Sequence, residues 1–305
     1  MSHKELIADL GKVASLKLDE PMSRHTTFGV GGPADIYVAA KTEEQLRRAF
    51  VLAKQHHVPV FIFGSGSNVL VGDRGIRGLV IENQYSEING PAQNGHGLRV
   101  RAGSGLSFST LARRLAGAGF GGVEWACGIP GSLGGAVVSN AGAYGHSLAD
   151  VLISARLTDD HGDVRELTPD DLALDYRKSS AEALRDTAVL SVDLRVQEGE
   201  AKLLKQQIRE YDQRRKSAQP TGRNCGSVFK NPDDKAAWQY VDEAGLRGHR
   251  IGNAQISELH SNFILNLGGA TAKDIRALVQ LAQERVREKT SVELSPEVAF
   301  VGEFE

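Results

Sequence analysis

The chain has 305 residues, enough for two or three compact units, because single cores rarely keep growing beyond about 250 residues. Its 36 basic and 38 acidic residues leave a formal charge of -2, so no field of one sign is available to hold a polyanion, which argues against nucleic acid as a partner. Cys127 and Cys225 lack the paired spacing of a zinc or dithiol site, and no apolar run reaches the length of a membrane span, so the sequence reads as a reduced, metal-free cytoplasmic protein.

A short amphipathic piece comes first. Thr42, with Gln45 three residues later, forms a capping-box signal, and Leu46, Ala49, Phe50 and Ala53 share one stripe, which predicts a helix. Residues 58–63 (VPVFIF) are a short β-rich run stopping at Gly64, the pattern of a buried strand feeding a glycine loop. Residues 79–82 and 98–102 predict further strands, and residues 107–118 a second helix with Leu111, Leu115 and Ala118 in register. Strand, helix and glycine loop in alternation are the grammar of an α+β nucleotide-binding unit. Residues 189–196 alternate Leu190, Val192, Leu194 and Val196 with polar neighbours, as a half-buried strand does. A charged helix over 201–216 then marks the expected domain boundary, at residue 198. The later part holds a long helix over 271–290, capped by Thr271 with Asp274 in its first turn and an apolar stripe of Ile275, Leu278, Val279, Ala282 and Val286. A closing strand pair is expected around residues 291–300.

Three glycine-rich segments carry the information about ligands. Residues 29–34 (GVGGPA) match the short dinucleotide fingerprint in letters only, since no apolar strand precedes them and a strand-like DIYV, not a helix, follows. Residues 64–68 (GSGSN) follow a buried strand. Their small residues expose successive backbone N–H groups, and the Ser65 and Ser67 hydroxyls and the Asn68 amide add donors, so an anion cradle and a plain strand-exit turn fit them equally well. Residues 128–136 (GIPGSLGGA), continuing to Gly145 through NAGAYG, are longer than any turn requires and imply something flat or anionic against the backbone. Two such loops without a Walker lysine favour a large dinucleotide over a triphosphate.

These segments, with HTTFGVGGPAD (25–35), YRKS (176–179), GSVFKNP (226–232) and a late PEV (296–298), follow one another as they do in the UDP-N-acetylenolpyruvoylglucosamine reductase family, which the chain closely resembles over roughly residues 20 to 302. The resemblance implies an α+β protein. A FAD-binding fold of the vanillyl-alcohol-oxidase type over 19–198, in two subdomains of about 19–83 and 84–198, is followed by a smaller α+β substrate domain over 199–305. It implies noncovalent FAD, NADPH as reductant and a sugar-nucleotide enol ether as substrate, and the family branch without an extra tyrosine-bearing loop. The cofactor positions it marks are Gly64, Ser65, Gly66, Ser67 and Asn68 in the second loop. In the third they are Gly128, Ile129, Pro130, Gly131, Ser132, Gly134, Gly135, Ala136, Asn140 and Gly142. Asn224-Cys225, Asn253 and Ser295 depart from the common pattern at positions of packing.

Reduction of an enol ether next to a carboxylate needs hydride at the vinyl terminus, donors at the carboxylate where charge develops, and a proton for the adjacent carbon. The family motifs put Arg177 at the carboxylate, which a planar guanidinium matches, make Ser227 the proton donor, and set Glu297 on the carboxylate side. Tyr176, Lys216, Lys230, Asn231 and Asn262 are the implied substrate contacts, with Lys216 and Lys230 also placed to help a serine act as an acid. His260 reads as a structural histidine. Two rival readings are an alcohol or hydroxy-acid oxidase of the same fold, often flavinylated at a histidine where this chain has Asn68, and a non-catalytic flavin-binding module. No protein partner is evident.

Overall fold

The computed structural model describes residues 3–95 and 97–305; Met1 and Ser2, which begin the N-terminal stretch, lie outside them. The chain gathers into two compact units, each assembled from separate stretches: residues 1–18, 36–65 and 78–214 make one, residues 19–35, 66–77 and 215–305 the other. This differs from the single boundary that composition suggests near residue 198. Composition changes there because a charged surface helix begins, and the units divide within that helix.

In the first unit, helix α1 (His3–Val13) and helix α2 (Glu43–Gln55) pack on a four-stranded sheet ordered Leu16–Pro21, Pro33–Ala40, Ile76–Asn83 and Val60–Phe63. Thr42 accepts from Gln45 N at the start of α2, and Leu46, Ala49, Phe50 and Ala53 are its buried face, the stripe expected from the sequence. That face meets Ile36, Val38, Leu79 and Ile81 in one core. A larger antiparallel sheet is ordered Val164–Leu167, Leu152–Thr158, Ala188–Glu198, Gly97–Gly103 and Ile88–Asn94. Helix α3 (Phe108–Gly117), capped by Ser107, and the short helix α4 (Leu133–Ser139), capped by Ser132, share a core with this sheet through Leu111, Leu115, Leu133, Val100 and Leu194. Asp193 is buried on the central strand, where its carboxylate is answered by Arg101, opposite it in register with Nε 2.8 Å away, and by the Ser154 hydroxyl, which donates as well.

Helix α5 (Ala201–Ala218) leads to the second unit. Helix α6 (Ala237–Glu243), a three-stranded antiparallel meander of Arg250–Ile251, Ala254–Ile256 and Ile264–Asn266, and helix α7 (Ala272–Thr290) pack together. The Thr271–Asp274 capping box starts α7 as expected. It is reinforced by Asp73, whose two carboxylate oxygens accept from Ala272 N and Lys273 N at 2.9 Å each. Ile275, Leu278, Val279, Ala282 and Val286 are buried against a core that includes Phe28, Val30 and Leu70 from the early part of the chain.

The expected strand pair over 291–300 does not form. After Ser291 closes α7 in the left-handed region, only Ala299–Val301 is a strand, and its partner is Val69–Val71, paired in parallel from far away in sequence. A parallel partner of this kind leaves no turn signal nearby to read. Among the described residues no helix is long and apolar enough to cross a membrane.

Candidate active site

In the first unit, the strand Val60–Phe63 delivers Gly64 against Ser132. A Cβ on Gly64 would stand 2.2 Å from Ser132 Oγ, so the second and third glycine segments touch at a point where only glycine fits. Ser132 is buried and accepts from Gly135 N as the cap of α4. The third segment is held from behind by Gly103-Ser104-Gly105, a piece of chain not singled out in the sequence. Ser104 O accepts from Gly134 N, Leu106 O from Leu133 N, and Gly131 O from Phe108 N. Its signal was a Gly-Ser-Gly directly after a strand, the same pattern as residues 64–66.

The YRKS segment is a tight turn in this unit. Asp175 and Lys178 exchange both backbone bonds, Asp175 N to Lys178 O at 3.0 Å and Lys178 N to Asp175 O at 3.1 Å, leaving Tyr176 and Arg177 at the tip. Arg177 has φ 51, and its guanidinium lies over the Tyr176 ring at 5.3 Å while Nη2 donates to Gly142 O at 2.8 Å. Asn140, the left-handed C-cap of α4, is buried, and its Nδ2 donates to Asp175 O at 2.9 Å.

In the second unit, Gly66 has φ 61 and lies against the backbone of residues 25–26: a Cβ there would meet His25 O at 2.1 Å. Thr27 N donates to Gly66 O. The residues leading into the first glycine segment, His25 to Thr27, therefore support the second. A 3-10 turn at Met22–Arg24 precedes it and the strand Pro33–Ala40 follows, as the reading against a dinucleotide fingerprint expects.

Ser227 and Glu297 lie on paired segments of this unit. Glu297 N donates to Val228 O at 2.7 Å, one residue from Ser227, Lys230 N donates to Ser295 O, and Phe229 bridges Pro296. The Glu297 carbonyl accepts from Asn68 Nδ2 at 3.0 Å, and Ala299 N donates to Asn68 O. The Asn68 amide thus holds the PEV segment, a task distinct from the anion contact expected of it. Burial and the Glu297 carboxylate push the Cys225 thiol well above its ordinary range, so it is protonated and inert beside the serine.

The remaining implied substrate contacts divide by exposure. Asn262 is buried and uses both ends of its amide on Phe229, accepting from its N and donating to its O at 2.9 Å each, so it shapes the Ser227 segment from beneath. Asn231 Oδ1 accepts from Ala237 N at 3.0 Å at the start of α6. Lys216 and Tyr176 are exposed, Lys230 partly so. His260 Nδ1 accepts from Asn262 N, and burial holds the imidazole below its ordinary value, as befits a structural histidine.

The loops fit an elongated dinucleotide. Among the described residues, no protein group accepts from the backbone N–H of Ser65, Gly66 or Ser67, although Gly66 and Ser67 are buried; three adjacent unanswered donors on small residues suit a diphosphate. Among the described residues no cluster of side chains suits a metal ion.

Residues 34–168 match a family model described as FAD binding domain, and residues 218–301 match one described as UDP-N-acetylenolpyruvoylglucosamine reductase, C-terminal domain. The chain is 43% identical over 289 residues to the UDP-N-acetylenolpyruvoylglucosamine reductase of Alkaliphilus oremlandii (strain OhILAs), covering 94% of this chain and 93% of the relative. It is 42% identical over 287 residues to the protein of the same description from Rubrobacter xylanophilus, covering 94% and 95%. Among solved structures, the UDP-N-acetylenolpyruvylglucosamine reductase of Thermus caldophilus superposes with a TM-score of 0.77 at 34% identity, covering 94% of this chain and 98% of that one.

Proposed function

The chain belongs to the UDP-N-acetylenolpyruvoylglucosamine reductase family, and on that premise we propose that it reduces the enolpyruvyl group of UDP-N-acetylglucosamine enolpyruvate to give UDP-N-acetylmuramate, a precursor of peptidoglycan. It is a FAD-dependent oxidoreductase that takes its reducing equivalents from NADPH. When bound, the flavin relays hydride from NADPH to the vinyl terminus. Residues 64–68 and the segment from Gly128 to Ala136 would hold it through backbone N–H groups, without a covalent link.

The chain's own side chains do the rest. Arg177 binds the substrate carboxylate and stabilises the charge that builds there. Ser227 holds a proton at Oγ for the carbon next to the carboxylate, a role open to a weak acid only when that carbon is strongly basic and cations such as Lys216 and Lys230 stabilise the alkoxide left behind. Glu297 faces the carboxylate side. Tyr176, Lys216 and Asn231 contact the sugar nucleotide, and Asn262 serves that contact through the Ser227 segment it holds. The observation that most supports this reading is the bond from Glu297 N to Val228 O, which seats the glutamate beside the serine with Asn68 fixing its other side. The same reading takes the first domain as a vanillyl-alcohol-oxidase type of FAD fold, the chain as a member of the branch without the tyrosine loop, and the cytoplasm as its location.

The test is the visible spectrum of the purified protein. A yellow preparation bleached by NADPH and recoloured by the enol ether is expected, with free flavin in the supernatant after acid denaturation. Flavin left on the precipitate would point to an oxidase, and NADPH consumption indifferent to the enol ether to a binding module.

A further inference from the structure

We propose that Asn140 is a positioning residue for Arg177, holding the turn that presents the guanidinium, and that its side chain is not a cofactor ligand. The inference rests on the reading that Arg177 engages the substrate carboxylate. Three observations carry it. First, the Asn140 side chain is only 5% exposed and both ends of its amide are engaged: Nδ2 donates to Asp175 O at 2.9 Å and Oδ1 accepts from Ala149 N at 3.0 Å. Second, the turn it grips is unfavourable by itself. Arg177 sits at φ 51, a region that non-glycine residues avoid and that persists only where the surroundings over-determine it. Third, the two ends of the turn share an anchor. The Ser179 hydroxyl donates to Val138 O at 2.7 Å at the far end of the turn, so both ends of it are tied to the last residues of α4. The other end of α4 is Ser132, the residue against which Gly64 packs. One seven-residue helix thus carries a cofactor segment at its start and the arginine turn at its end. Asn140 suits this place because its own φ of 42 is tolerated by asparagine and turns its amide toward Asp175.

The experiment uses the full chain loaded with FAD. Asn140→Asp keeps the shape and the acceptor for Ala149 N but replaces the donor with an oxygen facing the Asp175 carbonyl. Stopped-flow traces should show flavin content unchanged and bleaching by NADPH within about 3-fold of the parent, while half-saturation by the enol ether in recolouring rises about 10-fold or more. In an Arg177→Ala background the same substitution should add nothing, because the turn then has no guanidinium to present. Loss of flavin from Asn140→Asp would overturn the inference in favour of a cofactor ligand. Arg177→Ala crippling the recolouring step while Asn140→Asp leaves it untouched would overturn the inference alone; Arg177→Ala with no effect on that step would sink the reading of Arg177 itself. Should Asn140→Asp fail to fold, Ser179→Ala removes the other anchor, and unchanged recolouring by that variant would overturn the proposal equally.

Discussion

Ser227 is half-buried on a segment whose backbone is fixed on three sides by Asn262, Glu297 and Ser295, so its hydroxyl can be removed without moving the chain. Ser227→Ala should leave flavin bleaching by NADPH nearly intact and slow recolouring by the enol ether by about 100-fold or more, as stopped-flow traces would show. Gly64→Ala would force its methyl onto Ser132, which is buried and cannot step aside. A loss of about 1–3 kcal/mol and of bound flavin is expected, read from thermal melting and from flavin stoichiometry after purification. His260 makes a prediction with a definite sign. Burial holds its folded-state pKa below the ordinary 6.5, so as pH falls below about 6.5 the unfolded chain takes up the proton first and stability declines; above that value the imidazole leaves stability unchanged with pH. Urea unfolding followed through Trp238, whose ring lies 6.2 Å from the imidazole, should show this slope, and His260→Gln should flatten it. The residue types at these places are legible in sequence only through the motif they belong to. What Asn68, Asn140 and Asn262 do is not, because an amide reads the same whether it faces a ligand or a distant carbonyl, and each has its acceptor dozens of residues away or more.

At the scale of elements, periodicity served well wherever the partner was local. Helices α2, α3 and α7 begin at the caps their Thr42, Ser107 and Thr271 advertise; α2 and α7 bury the expected stripes, whereas α3 buries Leu111 and Leu115 but ends at Gly117 and leaves the expected Ala118 exposed as its C-cap. What local pattern missed is support from afar, and α7 is the clearest case. Its first two N–H groups are answered by Asp73, so Asp73→Ala should cost about 1–2 kcal/mol, comparable to the loss of a strong N-cap, in the unfolding transition of the second unit. A midpoint unchanged in denaturant would show that the capping box alone suffices. The strand at Ala299–Val301 escaped for the same reason: three residues carry little alternation, and the ladder they complete was begun by Val69–Val71.

The whole molecule is two units threaded through one another in sequence, which no compositional boundary reveals. Phe28, Val30 and Leu70 belong to the core of the second unit, so a fragment of residues 199–305 lacks part of its own interior. Expressed alone it should show a broad, non-cooperative melt and poor amide dispersion, whereas a sharp transition equal to that of the full chain would mean the early segments are dispensable. The parallel pairing of Val69–Val71 with Ala299–Val301 also has a bearing on biosynthesis. On the ribosome, the stretch carrying Asn68 leaves the exit tunnel long before its partner has been translated, and must wait unmatched until Ala299–Val301 has been made. A nascent chain stalled just short of Ala299 would hold nearly every side chain named above and still leave that ladder open.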